Sequence, residues 1–141
     1  MDQPRRTTAQ TVTAAVTLVS GEHETESLDG EFRYDAADPY AVVLTVRTPT
    51  GTVVWSFARD LLADGLYEPV GDGDVQVWPC LSTEAAAVVV IELHAPGGEA
   101  LLQASSRAVQ WFVREMYGLV PVGSESAHLG IDSMLEQLLA S

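Results

Sequence analysis

The sequence predicts an α+β fold: an antiparallel sheet of about seven strands, a short mid-chain helix and helices at the C-terminal end. Three observations carry this. Apolar and polar residues alternate with a period of two through most of the first two-thirds of the chain. Proline and glycine punctuate those runs at hairpin spacing, and the last third changes to a helical period. Strands followed by helices favour helices packed on one face of an antiparallel sheet.

The elements follow in order. Residues 1–8 read as a disordered tip, although "RR" at Arg5 and Arg6 raises the question of an export signal. Such a signal continues with a compact apolar block. Here Thr11, Thr13 and Thr17 instead alternate with Val12, Ala14, Val16 and Leu18, the pattern of a half-buried strand. Asp29-Gly30 reads as a turn before the strand "EFRYD". The β-branched run Tyr40–Thr48 and its return "TVVWSF" flank Pro49-Thr50-Gly51, with proline presetting φ and glycine taking a positive one. "ARDLLADG" makes about two helical turns closed by Gly65 as a left-handed cap. "AAVVVIELH" and "EALLQA" flank Pro96-Gly97-Gly98 as a second hairpin. In "SSRAVQWFVREMYG", Ala108, Val109, Phe112, Val113 and Met116 share one face, a serine caps the start, and Gly118 with Pro121 ends it. "VPVGSESAHLG" is a loop, and "DSMLEQLLAS" is a last helix with Ser133 and Glu136 at capping-box spacing.

The chain has 141 residues, which suits one domain spanning 1–141. Twenty acidic residues stand against seven arginines, with no lysine, for a net charge of −13. That balance disfavours nucleic acid and anionic membranes, both of which are held by Lys and Arg. No apolar run is long enough to span a bilayer. A single cysteine, Cys80, forms no internal disulfide and fits a reducing, cytoplasmic setting. With no CxxC partner it reads as a buried or half-buried structural thiol.

The stretch "EPVGDGDVQVWP" is the best candidate for a ligand loop. A phosphate loop needs a lysine, and a dinucleotide loop needs a third glycine where Gln76 stands. As a calcium loop, Asp72, Asp74 and Gln76 are followed by Val77 at the glycine position and Thr83 at the closing carboxylate position. The stretch is therefore an Asp72-Gly73 turn launching a strand, with Val75 and Val77 inward and Gln76 and Trp78 on the polar face. Glu92 and His94 share a strand face, but two ligands do not hold a metal. His23 and His128 sit in loops. Catalytic elbows, zinc helices and a carboxylate dyad are absent from the sequence, so cofactors, metals and catalysis have no support in it. Of the tryptophans, Trp111 suits the core or a subunit contact, Trp55 suits the core, and Trp78 suits either packing under a helix or an interface anchor.

"RYDAADPYAV", "WSFARDLLADGLYEPVGDGDVQVWP", "GEALLQASSRAVQWF" and "HLGIDSMLEQLLA" together resemble the SsgA-like proteins, small actinomycete proteins of sporulation-specific cell division, and within them the SsgB branch. The resemblance covers nearly all of the chain from Phe32. It implies a curved sheet with helices of the whirly, or mitochondrial guide-RNA-binding, kind, assembled as a homotrimer. It also implies a non-enzymatic role in septum-site selection at division septa, with the tubulin-like GTPase FtsZ and an SsgA-type paralogue as partners. The alternative from that fold is a single-stranded nucleic-acid-binding module, which the charge opposes; a septal wall hydrolase would need two converging carboxylates. Candidate partner-binding residues are Arg59 and Asp60, which open the short helix, and Asp72, Asp74 and Trp78 around the turn.

Overall fold

The computed structural model describes residues 5–21, 26–96 and 98–126. Nine strands and two helices occur among them, in the order β1 (Arg5–Thr7), β2 (Thr11–Ser20), β3 (Glu26–Asp35), β4 (Ala41–Thr48), β5 (Gly51–Ala58), α1 (Arg59–Asp64), β6 (Val70–Asp72), β7 (Val75–Leu81), β8 (Ala87–Ala95), β9 (Gly98–Ser105) and α2 (Ser106–Leu119). The strands form one antiparallel sheet in the spatial order β5-β4-β3-β2-β9-β8-β7-β6, with β1 paired to β2 off that path. The α+β antiparallel expectation holds, with short strands β1 and β6 in addition.

The sheet curves. Its two ends, β4–β5 and β6–β7, lie far apart in strand order, yet both touch α1. Only a sheet bent into a half-barrel brings its ends to one short helix. β2 is the place where the sheet divides, because only Val19 and Ser20 pair with β9 while Val12–Ala14 pair with β1.

Alternation decides which side is buried. Val12, Ala14, Val16 and Leu18 of β2 point inward with Phe32 and Tyr34 of β3 and Val42, Leu44 and Val46 of β4. Helix α2 lays Ala108, Val109, Phe112 and Met116 on that inner face, and the Phe32 and Phe112 rings lie 5.5 Å apart. Its start is capped by Ser105, whose hydroxyl accepts from the Ala108 amide. Helix α2 ends at Leu119, just before Pro121.

Three local expectations are corrected. Residues 5–8 are not a loose tip: Arg5, Arg6 and Thr7 pair with Ala14, Thr13 and Val12, Arg5 sits over the Trp111 ring, and Thr7 donates to Glu115. Asp29-Gly30 is not a turn but lies within β3, where Gly30 pairs with both Val16 and Val46. A side chain at Gly30 would come within 2.5 Å of the Leu18 side chain, so the glycine serves close strand packing. Gly65 is not a left-handed cap, since its φ is −65°. It is needed for space, because a Cβ there would stand 2.2 Å from a Val77 methyl. The hairpin glycines behave as expected, with Gly51 opening β5 at a φ of 148° opposite Thr48. The predicted last helix, with Ser133 and Glu136, and the loops at His23 and His128 lie outside the described residues.

Candidate interaction surfaces

The candidate residues separate into two places. Arg59 and Asp60 open α1, and both are taken up by contacts within the chain. Arg59 is 1% exposed. Its guanidinium lies 4.3 Å from the Tyr117 ring centroid and 5.5 Å from that of Tyr34. Nη1 donates to the Tyr34 hydroxyl at 3.2 Å and to the Val120 carbonyl at 2.7 Å, and Nη2 pairs with the Glu125 carboxylate at 2.6 Å. Asp60 accepts from the Tyr117 hydroxyl at 3.0 Å. The pair therefore clamps α1 to the end of α2 and to the segment beyond it. Burial pushes the Tyr34 phenol up to about 12 and the Tyr117 phenol upward as well, so both remain neutral donors. The hydrogen bond from Arg59 holds the Glu125 carboxyl below the usual carboxylate range. Sequence reasoning reached Arg59 and Asp60 but not Tyr34, Tyr117 or Glu125, whose convergence depends on curvature.

Asp72, Asp74 and Trp78 lie at the other end of the chain's sheet. Asp72 pairs with Val75, so Gly73 and Asp74 form a two-residue hairpin loop. Gly73 has a φ of 60° and Asp74 does not have a positive φ, the type II′ pattern with glycine first. Both aspartates are exposed, and the Asp74 carbonyl accepts from the His94 amide at 2.8 Å. Val75 and Val77 point inward as expected, and half-buried Trp78 and Gln76 point outward.

The outer face around Trp78 carries two local hollows. Register places Trp78, Val90, Gln103 and Val19 in one row across β7, β8, β9 and β2, with Gln76, Glu92 and Leu101 in the next. One hollow has Trp78, Leu101, Glu92 and Glu99 in its wall, and a second, on the other side of the Trp78 row, has Val19, Val88, Gln103 and Glu84. Both helices lie on the opposite side of the sheet.

His94 contacts two carboxylates of the first hollow. Nε2 contacts Glu92 at 2.5 Å and Nδ1 contacts Glu99 at 3.1 Å. Glu99 is not among the residues the sequence singles out; the pairing of Ala95 with Gly98 puts His94 opposite it. Among the described residues no three His, Cys, Asp or Glu side chains form a metal-binding group. The hydrogen bond to Glu92 raises the His94 pKa above 6.5, against the smaller opposing effect of desolvation and with help from Glu99. A raised folded-state value contributes stability below the unfolded value, and that contribution is lost as pH rises through the folded value. Replacing His94 with glutamine is therefore expected to flatten the fall in melting temperature as pH rises above the ordinary histidine value of about 6.5. Melting curves of both proteins over that rise check it; parallel curves would remove the pairing from the account.

Cys80 differs from expectation. It is exposed at the outer end of β7, where its thiol donates to the Leu81 carbonyl. Its outward position follows from parity with Trp78, beyond the stretch of β7 that pairs with β6. Among the described residues no helix is long and apolar enough to cross a membrane.

The family model described as "Streptomyces sporulation and cell division protein, SsgA" matches residues 28–125. The chain belongs to this family. Its SsgA-family match contains the clamp, with Glu125 as its last residue, as well as the hairpin and Trp78. The sporulation-specific cell division protein SsgB of Streptomyces coelicolor is 50% identical over 109 residues, 77% of this chain and 79% of that protein. SsgB of Salinispora tropica is 38% identical over 138 residues, 96% of each chain. Among solved structures, the one associated with SsgB mutations that correlate with longitudinal cell division during sporulation of Streptomyces coelicolor superposes with a TM-score of 0.78. It is 43% identical and covers 87% of this chain and 99% of its own. The SsgA-like sporulation-specific cell division protein of Thermobifida fusca gives 0.81 at 29% identity, covering 94% and 98%. The curved antiparallel half-barrel with two helices is thus the fold of SsgA-family structures.

Proposed function

We propose that this SsgA-family protein is a non-enzymatic adaptor of sporulation-specific division, one domain over 1–141, that helps to position the septum by recruiting FtsZ. In this reading it works in the cytoplasm at division septa, as a homotrimer placed by an SsgA-type paralogue. The observation that carries the adaptor role is the outer sheet face. It presents half-buried Trp78 in a hollow walled by Glu92 and Glu99, with the helices on the other side. An aromatic anchor rimmed by polar groups is the usual make-up of a protein-binding surface. The curated relatives named for sporulation-specific cell division supply the process. Nucleic acid finds little support, because both hollows carry carboxylates and neither has an arginine in its wall.

Co-sedimentation with FtsZ polymers tests the proposal. The chain is expected to pellet with polymers formed with GTP and to remain in the supernatant when FtsZ is held with GDP. Equal recovery in both supernatants would overturn FtsZ recruitment.

A further inference from the structure

We propose that the outer-face trough around Trp78 is a docking surface for a cationic, apolar protein segment, in which an arginine or lysine is held by Glu92 and Glu99 over the Trp78 indole.

The row Trp78–Val90–Gln103–Val19 runs across β7, β8, β9 and the end of β2, with Trp78 in the wall of the first hollow and Gln103 and Val19 in the wall of the second. The trough's lining mixes apolar Trp78, Leu101, Val19 and Val88 with polar Ser20, Gln103 and Ser105. Val90 is only 4% exposed although it occupies an outward position, and Val19, Val88 and Leu101 are half-buried beside it. Apolar side chains on the solvent side of an antiparallel sheet mark a face that meets something else. Its rims are acidic, with Glu92 and Glu99 at one end and Glu84 at the other, and the lining contains no arginine.

Charge selects the occupant. A second copy of this chain would bring a net charge of −13 to an acidic rim, with seven arginines against twenty acidic residues. A segment alternating aliphatic and basic residues matches both the lining and the rims. Its apolar side chains cover half-buried Leu101 and Val19, and a cation lying over the indole gains from the ring quadrupole as well as from the carboxylates. His94 already contacts both Glu92 and Glu99, so the rim attracts a cation most when the imidazole is neutral.

This deepens the adaptor reading by naming the chemistry of its partner, and it is tested without FtsZ so that either can fail alone. The probe is a short synthetic peptide alternating leucine and arginine, with a leucine–glutamate peptide as control, titrated into the full chain above the His94 titration. The readout is the set of indole N–H resonances of Trp55, Trp78 and Trp111. The arginine peptide is expected to move the Trp78 resonance and leave the other two, while the glutamate peptide moves none. Combining Glu92→Gln with Glu99→Gln should weaken binding about tenfold, as loss of two exposed ion pairs would. Combining Asp64→Asn with Glu68→Gln, which removes the same charge from the helix side, should change it less than about twofold. Equal effects of the two double variants would mean attraction to net charge alone and would overturn the trough. So would a Trp78 resonance that ignores the peptide, or one that shifts only with protein concentration, which would make a second copy the occupant.

Discussion

Replacing Arg59 with alanine is expected to destabilise the protein by about 3–5 kcal/mol, the cost of removing one partner from a buried ion pair. The loss has several parts. The Tyr34 hydroxyl and the Val120 carbonyl each lose a donor, two aromatic rings lose the cation beside them, and α1 loses its hold on the end of α2. Lysine should recover only part of this, because one ammonium cannot span contacts that Nη1 and Nη2 divide between Tyr34, Val120 and Glu125. Nε has no hydrogen-bond partner among the described residues, so the socket is not fully satisfied even as it stands. Urea denaturation measures the change, and a midpoint equal to wild type would show that the clamp contributes nothing. A second readout is the acid limb. Glu125 has a folded-state value below 4.5, so its pairing stabilises above that value and is lost as pH falls through the folded one. That part of the acid dependence should vanish in Arg59→Ala.

Gly65→Ala should cost about 1–3 kcal/mol by overpacking, although alanine is ordinarily the better helix former. The φ of −65° is open to any residue, so backbone strain is not the cause. The new Cβ would meet the Val77 methyl at 2.2 Å, the Val77 Cβ at 2.7 Å and the Leu61 carbonyl oxygen at 2.8 Å. Val77 is fully buried and has nowhere to move. Combining Gly65→Ala with Val77→Ala removes the nearest obstacle, and the double variant should be more stable than the sum of the two single changes by about 1–2 kcal/mol. Strict additivity in urea midpoints would place the clash elsewhere.

Both residues show where sequence reading stops. A glycine after a short helical pattern suggests a left-handed cap, because local backbone rules know only φ. The reason for Gly65 is the side chain of Val77, twelve residues on in a different strand, which no local rule contains. Asp29-Gly30 misleads in the same manner: the pair resembles a turn, but Gly30 lies between Val16 and Val46 in the middle of the sheet. Arg59 appeared as a charge at the head of a helix and hence as a residue available to a partner. The half-barrel buries it between two tyrosines. By contrast, Trp78 was placed on the outward side of its strand by parity with Val75 and Val77, and it is there.

What residue order settled is what depends on period and on near neighbours. This includes the inward face of β2, the hairpin turn at Pro49-Thr50-Gly51, the turn at Asp72-Gly73, found one residue later as Gly73-Asp74, and the buried stripe of α2 with a serine cap. These depend on contacts a few residues apart, where steric and hydrogen-bonding rules act directly. The tertiary structure alone decided the curvature that brings both sheet ends to α1, the burial of Arg59 against Tyr34, Tyr117 and Glu125, and the hollow that Trp78 shares with Glu92 and Glu99. Each of those brings together residues far apart along the chain, and their meeting is set by how the sheet bends, a property no local pattern encodes.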